Sequence, residues 1–212
     1  MAILTTAHSV VRATLAAAAG RPRGLFPAAG PLHHATVHFS GQAQFPGGAE
    51  LMGRGRRCDI LLRLTPADLG GIGTVCIKFP DLYGVGQDQD FLFLSSADGA
   101  PLHHVALPVR TDVPQLYSSL WLYLAGFSPV LFGVRAEGQS VASGSYLPGS
   151  GELTFLVSPP VGSFRTVGVI TMGEEIVDCG KVRFAAYNCG GNLRALPPLR
   201  FYQDTEVSAA AK

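Results

Sequence analysis

The chain is a succession of short apolar runs, each cut off by glycine or proline before it grows long. That punctuation leaves no room for long helices alternating with strands, so the runs are expected to pair antiparallel. Glycine supplies 26 and proline 15 of the 212 residues, which implies many turns and short elements. Hydrophobic residues make up 47% and charged residues 15%, too apolar for a disordered chain and ample for one sizeable core. The net charge of +1 gives no electrostatic reason to expect nucleic acid as a partner. No apolar run reaches the ~18–20 residues of a spanning helix, so no integral membrane segment is expected.

Several runs read as strands. The stretch from His34 to Phe45 alternates small or polar residues with Val37 and Phe39. Cys58 to Thr65 (CDILLRLT) ends at Pro66, and Gly73 to Phe79 (GTVCIKF) is closed by Pro80-Asp81. Phe91 to Ser95 (FLFLS) follows. Pro114 to Ala125 (PQLYSSLWLYLA) breaks the series. Its Leu116, Leu120, Tyr123 and Leu124 have helical spacing, with Pro114 near the start and Gly126 after the end, so a short helical insert is expected. Strands then resume at Val130 to Ala136, Glu152 to Val157, Phe164 to Met172 and Lys181 to Ala186, with a glycine- and serine-rich hairpin loop over 138–151.

The count is four strands, an insert, then four strands. An eight-stranded antiparallel barrel accommodates it and hides its edges by closure, while a sandwich of the same strands is the alternative. The expected fold is therefore mostly β. An N-terminal helix or arm spans 1–30, the barrel domain 31–202 and a tail 203–212. Thr5 to Ala19 could form that helix, with Gly20 as its stop. The first acid is Glu50, and an acid-free, arginine-bearing start can mimic an organelle transit peptide. A helix packed on the domain in a cytoplasmic protein is the simpler reading.

None of the four cysteines forms a C-x-x-C pair, so zinc is not expected. The histidine pairs His33-His34 and His103-His104 invite a metal reading. However, neighbours on one strand point to opposite faces and no carboxylate is placed to complete a centre. No nucleophile elbow, phosphate loop or H-E-x-x-H is present. Arg63, flanked by Leu62 and Leu64 in a strand, stands out. Pointing into a barrel, it would need an acid or an anionic ligand.

An ordered set of segments resembles the barrel of haem catalases and catalase-related proteins. His33 with Gly41 resembles the segment carrying their distal histidine, and Leu62-Arg63-Leu64-Thr65 their Val-Arg-Phe-Ser segment. Gly73 to Phe79 resembles their Gly-Phe-Ala-x-Lys-Phe strand, and Val85-Gly86-Gln87 with Phe91 and Phe93 their Val-Gly-Asn strand. The tail through Arg194 and Arg200 to Tyr202 resembles the closing segment of short bacterial members. The resemblance covers residues 30–96 and 163–202.

The resemblance implies a haem protein acting on hydrogen peroxide or an organic hydroperoxide. His33 would be the distal base, Thr65 its supporting hydroxyl and Gln87 the amide donor. Arg63 would meet a haem propionate and Tyr202 would be the iron ligand, with Arg200 nearby. Three departures accompany it. Pro198 stands where the tyrosine's usual arginine partner would be, Gly30 replaces an arginine, and Gln87 is one methylene longer than asparagine. The first two favour the alternative reading, a haem-free barrel that binds a small apolar ligand or a partner, whereas His33, Arg63, Thr65 and the amide of Gln87 favour the haem protein, which is the leading reading. The chain's long apolar β surfaces suit a homo-oligomer.

Overall fold

A computed structural model describes residues 26, 30–40, 48–53, 55–65, 71–109, 114–136, 140–142, 145–147, 151–177 and 182–196. The expected helix over residues 5–19, the tail 203–212, Arg200 and Tyr202 lie outside these residues. Among the described residues no helix is long and apolar enough to cross a membrane.

The described residues form twelve strands: β1 (Leu32–Phe39), β2 (Arg57–Thr65), β3 (Thr74–Phe79), β4 (Gln89–Ser96), β5 (Gln115–Ser118) and β6 (Tyr123–Ala125). They continue with β7 (Ser128–Ala136), β8 (Ser140–Ala142), β9 (Ser145–Leu147), β10 (Glu152–Ser158), β11 (Arg165–Glu175) and β12 (Leu193–Ala195). Eight of them, β1, β2, β3, β4, β5, β7, β10 and β11, form an antiparallel ring that closes through the β10–β7 and β11–β1 pairings. Their order around the ring follows the chain, so this is an up-and-down barrel. β6 and β12 extend from one end of β7, and β8–β9 is a small hairpin between β7 and β10.

Strand parity decides what faces inward. In β2, Cys58, Ile60, Leu62 and Leu64 join the central core, whereas Leu61 packs in a separate outer layer. Phe39, Phe79, Phe91, Phe93, Phe132 and Phe155 meet in the middle. Phe91 lies 4.8 Å from Phe132 and 5.7 Å from Phe155 between ring centroids, the latter edge-on. A second apolar layer lies outside β2–β4, where Leu32, Cys76, Leu92 and Leu94 are covered by Phe184 and Ala186 of the closing segment 182–196. A third, smaller layer joins Leu116, Leu131, Leu156 and Phe164 outside β5, β7 and β10.

The expected helix at 114–125 is not formed. Gln115–Ser118 is a barrel strand, paired with β4 on one side and β7 on the other. A short apolar run fits either period. Here Tyr117 turns into the core while Leu116 turns out, and the ring would stand open between β4 and β7 without this strand. The serines oppose a helix as well. Leu120 N–H donates to Ser118 Oγ at 3.1 Å, and Leu120 takes a positive φ of 56°. Conversely, the part of the expected strand Lys181 to Ala186 that is described, 182–186, lies across the outer wall and adds no strand to the ring. The count of eight therefore holds with one member exchanged.

Candidate functional site

The β1–β2 ladder places the two most chemically distinctive residues on opposite sides of the wall. His33 sits opposite Leu62, on the parity of the core residues Ala35 and Val37. Neither of its shielded ring nitrogens has a hydrogen-bond partner among the described residues. Arg63 sits opposite Leu32 on one side and Cys76 on the other, both members of the outer layer. Arg63 therefore points away from the barrel interior. It is only 1% exposed, and among the described residues none of the three guanidinium nitrogens has a hydrogen-bond partner. Its nearest compensation is the ring of Phe184, whose centroid lies 5.1 Å from the guanidinium carbon. Such a contact returns about 2 kcal/mol when desolvated. Burying an unpaired ion costs several kcal/mol, so the contact leaves the charge underpaid.

Thr65 shares the outer parity of Arg63 and pairs with Thr74 at one end of β3. Its hydroxyl lies against Gly30, where a Cβ would stand 2.8 Å from Thr65 Oγ1. Gly30 also has φ +148°, so no side chain fits that position without strain. Gln87 is exposed on the β3–β4 turn, two residues beyond the Phe79–Gln89 pair at the opposite end of these strands. His33, Arg63, Thr65 and Gln87 thus do not line one cavity. A distal pocket needs its imidazole and its amide donor on one face of the ring, whereas His33 shares the parity of the core residues of β1 and Gln87 is exposed past the far end of β3. These residues do not fit a haem held as the resemblance implies, and no peroxide chemistry is derived from them.

A charge cluster beside Arg63 was not singled out from the sequence. Lys78 Nζ lies 2.7 Å from Asp88 and 2.9 Å from both carboxylate oxygens of Asp90. Asp90 Oδ2 also accepts from Ala185 N–H and Asn188 Nδ2, each at 2.8 Å, and Asp90 N–H donates to Asn188 O at 3.0 Å. The carboxylate thereby clamps the closing segment against β4. Burial raises the pKa of Asp90 against the pull of Lys78. Burial works to lower the Lys78 ammonium, but the neighbouring carboxylates outweigh it and raise it. The sequence carries a partial signal, two aspartates two apart: Asp88 lies just before β4 and Asp90 within it, directly opposite Lys78. Further along the segment, Tyr83 packs so closely that a Cβ at Gly190 would meet its ring at 2.5 Å.

His103 and His104 occupy a 3₁₀ turn, Leu102–His104, after β4. Both Nε2 atoms converge on the Pro160 carbonyl, at 3.1 and 3.2 Å, and His104 Nδ1 approaches the Leu120 carbonyl at 3.1 Å. Burial lowers the pKa of His103. The pair ties three loops together across the outer wall.

Two clefts open on that wall. One of about 500 Å³ runs between His34, Thr36, His38, Arg57, Asp59 and Thr171. The other, of about 420 Å³, lies between the closing segment and β2–β3, bordered by Leu61, Lys78, Asp88, Arg183 and Tyr187. Compared with family models and with curated proteins, the chain matches none.

Proposed function

We propose that the chain is a haem-free binding module, a barrel that takes a small apolar ligand against its outer wall and performs no peroxide chemistry. The observation that supports this reading is the filled interior. Barrels that hold a ligand inside leave space there, whereas six phenylalanine side chains and the aliphatic residues around them occupy this one. A distal base needs a proton partner within hydrogen-bond reach, and His33 has none among the described residues. The wall outside β2–β4 instead combines apolar cover with an adjoining cleft.

The test is hemin titration of the full chain, with peroxide turnover measured alongside. Hemin is expected to keep its free spectrum. Hydrogen peroxide and cumene hydroperoxide are expected to disappear no faster than with free hemin alone. A stoichiometric Soret band, together with turnover lost in His33→Ala, would overturn the reading in favour of the haem protein.

A further inference from the structure

We infer that Arg63 is the receptor for the carboxylate of an apolar acid, a ligand with an aliphatic or aromatic body and a single negative charge. The inference rests on the binding-module reading above and names the ligand class for that wall. The guanidinium is almost fully buried, and its nitrogens have no hydrogen-bond partner among the described residues. Its cross-strand neighbours are Leu32 and Cys76, and its cover is Phe184. None of these supplies an anion. Cys76 is fully buried and its thiol is pushed up to about 12, so it stays neutral beside the arginine.

Lys78, the other cation over the Phe184 ring, already faces two carboxylates, Asp88 and Asp90. With Arg63 these four charges sum to zero, but both carboxylates are engaged by Lys78 and neither hydrogen-bonds the guanidinium, whose own single charge suits a carboxylate rather than a doubly charged phosphate. A guanidinium offers parallel N–H donors that a carboxylate accepts two at a time. The surrounding layer of Leu32, Leu92, Leu94 and Phe184 offers only apolar contact, so the rest of the ligand is apolar. Phe184 is the ring such a ligand displaces, because it stands where the guanidinium would otherwise be reached.

The experiment follows thermal unfolding and calorimetric binding of the full chain with sodium dodecanoate below its micelle concentration. Dodecanol serves as the uncharged control. Dodecanoate is expected to raise Tm saturably and dodecanol is not. Arg63→Leu is expected to abolish the rise, and its ligand-free Tm is expected not to fall, because it removes an unpaired buried charge. Arg63→Met keeps the stem length and makes the same comparison where the leucine variant does not fold. Arg63→Lys keeps the charge but loses the fork, and its Kd is expected to weaken about tenfold.

Equal shifts with acid and alcohol would overturn the inference, as would a rise that survives Arg63→Leu. So would a marked fall in the ligand-free Tm of Arg63→Leu and Arg63→Met, which would mean that the guanidinium already holds a counter-ion within the chain. Failure of the binding-module reading shows separately, as a Soret band with hemin. Failure of this inference alone leaves hemin free and gives no Arg63-dependent shift.

Discussion

The inside of the barrel and the wall outside β2–β4 are built from the same three strands but hold different chemistry. Inward positions carry Ile60, Leu62, Val75, Ile77, Phe91 and Phe93. The outward positions between them carry Arg63, Cys76, Lys78, Asp90 and Leu92, buried just as deeply beneath the closing segment. The interior is apolar and filled, so it contributes stability and little else. The outer layer mixes apolar cover with a clamped ion cluster and an arginine that has no hydrogen-bond partner among the described residues.

The largest effect expected from this contrast comes from adjacent residues on opposite faces. Phe91→Ala, at the centre of the ring cluster, is expected to cost about 4 kcal/mol in urea unfolding, and Leu92→Ala about 2 kcal/mol. Equal losses would mean that the outer layer is packed as tightly as the interior, and the comparison would break.

Next in size is Asp90→Ala, which leaves Lys78 with Asp88 alone and frees the Ala185 amide. A loss of about 3 kcal/mol is expected. Amide hydrogen exchange should accelerate at Ala185 while the ring-current-shifted signals of the interior stay in place. Unchanged protection at Ala185 would show that the clamp is not what holds the segment.

The smallest effect is electrostatic. His103 has its pKa lowered by burial from the ordinary 6.5. The unfolded chain therefore takes up a proton that the folded one refuses, and stability falls as pH drops below about 6.5. It levels off once the folded state also protonates. His103→Phe should flatten that part of the profile when stability is measured between pH 7.5 and 5. A slope identical to that of the parent would remove His103 as its source.

Much of the architecture is legible because alternation survives translation into structure. CDILLRLT and GTVCIKF announce two strands each with one apolar face, and both form within a residue of the expected bounds. The site was read less well. The sequence marks Arg63 as a strand arginine that needs an anion, but its direction depends on which parity faces the core. Leu62 and Leu64 flank it and are both apolar, yet only the closed ring shows that they point in and Arg63 out. Gln87 was joined to His33 through a resemblance in order along the chain. The ladder separates them, because Gln87 lies past the far end of β3.

By itself the sequence determined the element type wherever a run repeats with period two between glycine and proline, and it determined that the runs pair antiparallel. These are local properties of backbone and side-chain alternation. Only the tertiary structure decided that PQLYSSLWLYLA completes the ring while the segment around Phe184 lies across it. Both runs can pack either way, and the choice follows from closing the hydrogen bonds between β4 and β7. The same closure set the inside and the outside, and thereby left Arg63 buried on the outer wall without a hydrogen-bond partner among the described residues.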